Sequence, residues 1–342
     1  MIIRLTLLER FLRNAHLLPL PIMDAFGGVL YGRALAVAVR RGMFDALAGG
    51  PLGADVLAQR TGMHREAVGL VADASVEAGY LTKRKGLYAL SPEGRKWLLA
   101  DSPDSLTFLI RYFESLHERW RVIEHSMDHG KPARAYYEGF SDEDWRVYVL
   151  AMRDLARLVM PAVAPGIRLG RTASLLVDIG GSHGLYAMQC CRRHPGLEAV
   201  VMDFAPALGV TAELIRQAGM EKRIRLLGGN FMQAGIPSPA DGILLFNIIH
   251  GLSDGENREL FTRALHALRP GGKLYVLDQL RDAGGGSGVG RFIPLMVGLN
   301  LLTETGGTAY AFAQVKDWCA SASVVRLHRL RLPGLSLIEI VR

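Results

Sequence analysis

Apolar positions along the chain follow two different periods, and the change falls near residue 170. From 171 to 342, short apolar runs alternate with helical patterns, the rhythm of strand–helix–strand units in a parallel sheet. The runs 174–179, 198–203, 224–227, 242–247 and 273–278 read as strands. Two more, 323–330 and 336–341, flank Pro333-Gly334 and read as a terminal hairpin. Before 170 the period is helical. Residues 1–28 read as an amphipathic helix whose apolar runs are broken by Arg4, Glu9, Arg10 and Arg13, and 25–47 as a long apolar helix ending near Ala48-Gly49-Gly50. Helices over 54–60 and 65–78 flank a Thr61-Gly62 turn, with Val68, Val71, Ala72 and Val76 on one side of the second. Tyr80-Leu81-Thr82 and 87–90 then pair around a basic turn at 83–86, which completes a winged helix-turn-helix pattern. Residues 101–170 read as a helical connector, with helices over 105–125 and 142–160, a break near 130–132, and an end at Pro161, Pro165 and Gly166. The expected domains are therefore 1–100, 101–170 and 171–342.

Composition narrows the class. The 342 residues are 49% hydrophobic and 21% charged, a folding composition. Lys and Arg exceed Asp and Glu by 40 − 33 = +7, spread along the chain without a basic block. That fits a basic protein surface better than a nucleic-acid arm. No run reaches the ~18 apolar residues of a membrane span. The cysteines Cys190, Cys191 and Cys319 are odd in number and form no C-x-x-C, as expected of a reducing cytoplasmic setting.

Four constellations carry chemistry. In LLVDIGGSHG (175–184) a strand ends at Asp178 and a Gly-rich turn leads to a helix from about Leu185. Such a turn lets a ligand approach the backbone and the free N–H groups of a helix start. The spacing of Gly180, Gly181 and Gly184 fails the G-x-G-x-x-G of dinucleotide sites. Asp178 also suits a cationic ligand better than a pyrophosphate, although a tight packing turn with no ligand would read the same way. In VVMDFAP (200–206), Asp203 ends the next strand, where a carboxylate can accept both ribose hydroxyls or simply cap a helix. In LLGGNFM (226–232), Asn230 offers the donor and acceptor of an adenine edge and Phe231 a ring to stack, unless the segment is a plain turn. In 244–278 a strand delivers His250 to its carboxyl end, Ser253 and Glu256 form a capping box, and the next strand ends at Asp278. The imidazole and the carboxylate share one rim, where the acid can orient a His base.

These motifs in this order, with the L-R-P-G-G turn (268–272) and the winged-helix front half, resemble the two-domain small-molecule O-methyltransferases of the caffeate, hydroxyindole and bacterial natural-product type. Asp178-x-Gly180-x-Ser182-x-Gly184 is similar to the first motif of class I S-adenosylmethionine methyltransferases, with Ser182 in place of the middle glycine. The resemblance implies an α/β fold: a Rossmann-like domain with a seven-stranded, mostly parallel sheet, preceded by a mostly helical winged-helix domain that dimerises the chain. It implies S-adenosylmethionine as cofactor and S-adenosylhomocysteine as product, held by Asp178, Gly180, Gly181, Gly184, Asp203, Phe204, Asn230, Phe231 and Phe246. It makes His250 the general base, Asp278 its flanking acid, and Met152 a connector-helix methionine at cofactor and substrate. Phe292, Met296 and Asn300, one stripe of an apolar helix over 291–300, then wall the pocket of a small aromatic acceptor; core packing is the competing reading of that stripe. The family's usual acid or Asn after the base is Gly251 here, and its usual Lys is Phe246. The place of its second flanking Glu holds Thr308 and Ala309, with Glu304 just upstream as the substitute.

Other readings are weaker. Asp142, Glu143 and Asp144 look like a helix's first turn rather than a metal site, and no Cys/His ligand spacing appears, so no metal is expected. The less polar pocket leaves C- or N-methylation, or a non-methylating, pericyclase-like use of the cofactor, as alternatives. A winged-helix DNA regulator is the distant one, because 65–78 carries Glu66, Asp73 and Glu77 against Arg65, and only Lys83-Arg84-Lys85 suits a phosphate contact. The expected partners are thus an aromatic small molecule and a second copy of the chain, with neither nucleic acid nor membrane.

Overall fold

The computed structural model describes residues 27–282, 288–330, 332 and 334–342. Residues 1–26 lie outside them, and with them most of the expected amphipathic helix, as do 283–287 of the Gly-rich stretch and Pro333. The chain divides into two compact units, Met1–Glu118 and Arg119–Arg342. The boundary falls inside the segment read from sequence as a single connector.

The first unit holds α1 (Gly28–Arg40), α2 (Ala54–Thr61), α3 (Arg65–Glu77), a hairpin of β1 (Leu81–Arg84) and β2 (Leu87–Leu90), α4 (Pro92–Leu98) and most of α5 (Thr107–Arg119). The long helix expected to Leu47 stops at Arg40. Gly42 takes φ +71 and donates to Val39 O, while Met43 N reaches back to Ala38 O, the reciprocal bonds of a Schellman cap. A short 3-10 turn, Asp45–Leu47, follows, and Phe44 before it and Leu47 at its end enter the core with Leu57, Val68, Ala72 and Leu81. The hairpin turn is tighter than expected: β1 runs through Arg84, and Lys85-Gly86 turn with positive φ, the two-residue geometry that matches strand twist.

The second unit opens where the helix expected over 105–125 breaks into a 3-10 turn, Trp120–Val122, and α6 (Ile123–His129), which left-handed Gly130 ends. Next comes α7 (Asp142–Val163). The acidic cluster is its first turn: Asp144 accepts from Ser141 N and Ser141 Oγ accepts from Asp144 N. Pro161, expected to end this helix, lies inside it. Val159 and Val163 bury on one face a turn apart and carry the helix past the lost bond.

β3 (Leu175–Ile179), α8 (Leu185–Arg193), β4 (Glu198–Asp203), α9 (Ala205–Gln217), β5 (Ile224–Gly228), β6 (Ala240–Phe246), α10 (Asp254–Ala267) and β7 (Leu268–Asp278) follow, then α11 (Val289–Glu304), α12 (Phe312–Trp318), β8 (Val324–Arg329) and β9 (Ser336–Val341). The sheet order is β5-β4-β3-β6-β7-β9-β8. Strands β3 to β7 are parallel, and the terminal hairpin adds antiparallel β9 and β8. Every residue of β6 is buried, as a strand covered on both faces requires. One core packs α10 and α12 on the sheet; the other packs α7, α8 and α9. The order reverses between β3 and β6, so their carboxyl ends flank the crevice where open α/β sheets bind ligands. No helix among the described residues is long and apolar enough to cross a membrane.

Candidate active site

One side of that crevice is built from the turn after β3. Gly180 and Gly181 both donate to Met202 O, which ties the turn to β4. A Cβ on Gly181 would sit 2.6 Å from the Asp178 carboxyl carbon. Ser182 adopts φ +39, a left-handed conformation usually left to glycine, and its N–H donates to Asp203 Oδ2 at 2.8 Å. Asp203 Oδ1 accepts from Phe204 N at 2.7 Å. Burial raises Asp178 to about 7, with the Asp203 charge adding to it. Burial also raises Asp203 to about 6, against the pull of the Phe204 and Ser182 N–H groups.

Asp178 Oδ2, Ser182 Oγ and Tyr186 Oη are buried with no hydrogen-bond partner among the described residues. Buried polar atoms are normally satisfied, so this set calls for a polar ligand. Two buried carboxylates fit an ammonium and hydroxyls and oppose a pyrophosphate. The residues present therefore fit S-adenosylmethionine. Sequence reading missed Tyr186 and His183, although both adjoin the motif. His183 is driven down to about 3 by burial, helped by Arg153 and Arg157, and its Nδ1 accepts from Leu185 N. It therefore stays neutral and braces the start of α8.

Phe231 reaches the turn, 4.0 Å from where a Gly180 Cβ would stand. Asn230 is exposed, and its Oδ1 accepts from Met232 N. Phe204 packs edge-on against Tyr137, 5.3 Å between centroids. Phe246 lies in the core, edge-on to the Tyr186 ring at 4.7 Å. Met152 is half-buried on α7.

The other side begins where β6 ends. Asn247 turns the chain with φ +57, and a 3-10 turn, Ile249–Gly251, presents His250. Its Nδ1 lies 2.6 Å from Asp278 Oδ1 at the end of β7. Nδ1–H donates to the carboxylate, which leaves the Nε2 lone pair to accept a proton. Burial opposes the imidazolium. The Asp278 charge and hydrogen bond, the Gln279 side chain and the Glu304 charge outweigh it, and the His250 pKa is raised.

The place of the second flanking acid is occupied by backbone. Thr308 N donates to His250 O at 2.9 Å, and a Cβ on Gly307 would lie 1.8 Å from that oxygen. A buried carboxylate lies in the last turn of α11. Glu304 has a 3% exposed side chain, accepts from Asn300 Nδ2 at 2.8 Å, and lies 3.4 Å from Arg119 Nη1. Burial raises it to about 7, opposed first by the Arg119 charge. Of the expected stripe, Asn300 is brought to this group. Phe292 and Met296 are 60% and 39% exposed, so core packing does not account for them. Among the described residues no cluster of His, Cys, Asp or Glu could hold a metal ion.

A sheet with this order, and two carboxylates at adjacent strand ends beside its crevice, define a class: a Rossmann-like α/β domain with a ligand crevice at the carboxyl ends of its strands. Comparison with known proteins gives the family. The O-methyltransferase domain model matches residues 114–319. A 3-hydroxy-5-methyl-1-naphthoate 3-O-methyltransferase of Streptomyces sahachiroi is 27% identical over 92% of this chain and 93% of its own. Mouse acetylserotonin O-methyltransferase is 28% identical, over 91% and 85%. Human N-acetylserotonin methyltransferase, solved in complex with S-adenosylmethionine, superposes with a TM-score of 0.83 at 21% identity, covering 94% of this chain and 96% of that one. The chain belongs to the O-methyltransferase family, enzymes whose methyl donor is S-adenosylmethionine.

Proposed function

We propose that the protein transfers a methyl group from S-adenosylmethionine to a hydroxyl of a small aromatic acceptor, with His250 as general base. The observation that carries this reading is the 2.6 Å contact of His250 Nδ1 with Asp278 at the carboxyl rim of the sheet. When bound, the cofactor supplies a methyl group on a sulfonium, a ready electrophile. The chain's task is to hold it and the acceptor in register and to take one proton. Asp178, Asp203 and the glycine turn hold the cofactor, with Phe204, Phe231 and Met152 beside it. His250 Nε2 takes the acceptor's hydroxyl proton, and Asp278 fixes the tautomer and stabilises the imidazolium. Glu304 is the second acid acting on His250. The α11 stripe of Phe292, Met296 and Asn300 faces the acceptor. The bacterial relatives that act on hydroxylated aromatic acids support an aromatic acceptor.

His250→Ala is expected to lower kcat by ~10²–10⁴, the usual contribution of a general base, while S-adenosylhomocysteine binds as before. Lost binding, or unchanged kcat, would overturn the base assignment. A product heavier by one methylene unit separates transfer from a reaction that leaves the acceptor's mass unchanged.

The first unit is read as the dimerisation module. Val29 and Leu30 of α1 stand exposed, and Lys83 on the wing is engaged by Asp73 at 2.6 Å, which leaves it a poor phosphate contact.

A further inference from the structure

Arg119, at the end of α5, belongs to a chain of side-chain contacts that holds Glu304, the proposed second acid beside His250. Its guanidinium meets Glu304 Oε1 at 3.4 Å, and both side chains are largely buried. The other oxygen, Oε2, accepts from Asn300 Nδ2, and Asn300 Oδ1 accepts from Trp120 Nε1 at 2.7 Å. An indole N–H only donates and a carboxylate accepts, so the Asn300 amide has a single workable orientation. Neighbouring residues of one segment thus hold both oxygens of Glu304, one directly and one through Asn300. Arg119 is itself fixed: its guanidinium lies 4.8 Å from the Tyr136 ring centroid and 4.9 Å from that of Phe140.

We propose that Arg119 is a positioning residue for methyl transfer, holding Glu304 as a carboxylate oriented for its action on His250. This rests on the His250-base reading above. Arg119 takes no part in the proton transfer; it acts through Glu304. The groups that bear on Glu304 are Arg119 from α5, Asn300 on its own helix, His250 with Asp278 behind it, and Tyr148 on α7. Arg119 supplies the positive charge that opposes the burial of Glu304, and a buried carboxylate that loses its cation retains a proton to higher pH.

The test is the pH dependence of kcat in Arg119→Gln, Arg119→Lys, Glu304→Gln and Arg119→Gln/Glu304→Gln, with S-adenosylhomocysteine affinity measured alongside. In Arg119→Gln the acid limb should move up by about one pH unit, a roughly tenfold loss at neutral pH that alkaline buffer recovers. Arg119→Lys should recover part of the shift, because it restores charge without the planar stack. In the Glu304→Gln background the Arg119 change should move the limb no further. Cofactor affinity should stay within about twofold throughout. A limb that stays in place in Arg119→Gln, a loss equal at every pH, or a shift that persists without Glu304 would overturn the proposal. If Glu304→Gln has no effect while His250→Ala abolishes turnover, the base reading stands and the Arg119 role falls. If His250→Ala leaves kcat unchanged, the base reading itself fails.

Discussion

The two sides of the crevice are built by different means. On the cofactor side, Asp178, the glycine turn and Asp203 lie within 26 residues of one another, and main-chain bonds do most of the positioning: Gly180 and Gly181 to Met202, Ser182 and Phe204 to Asp203. On the acceptor side, His250, Asp278 and Glu304 come from three separate elements, and side chains hold one another. A site built on the backbone tolerates little change in its own sequence. A site built from side chains can keep its chemistry while the residues that supply it move. The proposed role of Glu304 would be a case of this: the backbone at Thr308 bonds His250 O where the resemblance sets an acid, and the carboxylate would come from the helix before it.

The sharpest test of the contrast is Asp203→Ala. It removes the acceptor of two N–H bonds together with the expected ribose contact. Hydrogen bonds to a charged group contribute about 1.5–3 kcal/mol each, so affinity for S-adenosylhomocysteine should fall by ~100-fold or more in calorimetric titration. Unchanged affinity would break the assignment of this side to the cofactor.

Gly307→Ala probes the other side and should be smaller. Its Cβ would lie 1.8 Å from a backbone oxygen, so the turn carrying His250 must shift. Overpacking of this kind costs roughly 1–3 kcal/mol of stability, and kcat should fall by ~10–100-fold through the displaced imidazole. Cofactor affinity should hold within about twofold. A matching loss of affinity would mean that the two sides are one mechanical unit.

The same contrast governed what the sequence could reveal. The architecture of the proposed cofactor side was legible because its logic is local. A strand, a glycine turn and a helix start follow within ten residues, and the second carboxylate ends the next strand. The His250–Asp278 pair was also legible, since both sit at ends of parallel strands whose pattern is strong. Arg119 and Glu304 are 185 residues apart, and no spacing rule links them. Helix ends were misread where local capping decided them: Gly42 ends α1 early, and burial of Val163 carries α7 past Pro161.

The smallest expected effect is also the most specific to the cofactor side. With no ligand, Asp178 titrates at about 7 and Asp203 at about 6, because both are buried and Asp203 adds its charge to Asp178. The ligand's ammonium favours the ionised carboxylates, so binding must depress these values. A group whose pKa is depressed in the complex strengthens binding above its free value and loses that contribution as the pH falls through it. S-adenosylhomocysteine affinity should therefore weaken on acidification from about pH 7 towards 5, by at most about tenfold per unit for each group. Proton release should accompany binding near neutral pH and show as a dependence of the calorimetric enthalpy on buffer ionisation heat. Asp178→Asn should bind less tightly, release fewer protons at pH 7, and begin its acid loss at lower pH, where Asp203 alone titrates. An unchanged pH profile in that variant would mean that the orphaned oxygen of Asp178 faces something other than the cofactor's cation, and that the cofactor side owes its affinity to the glycine turn and Asp203.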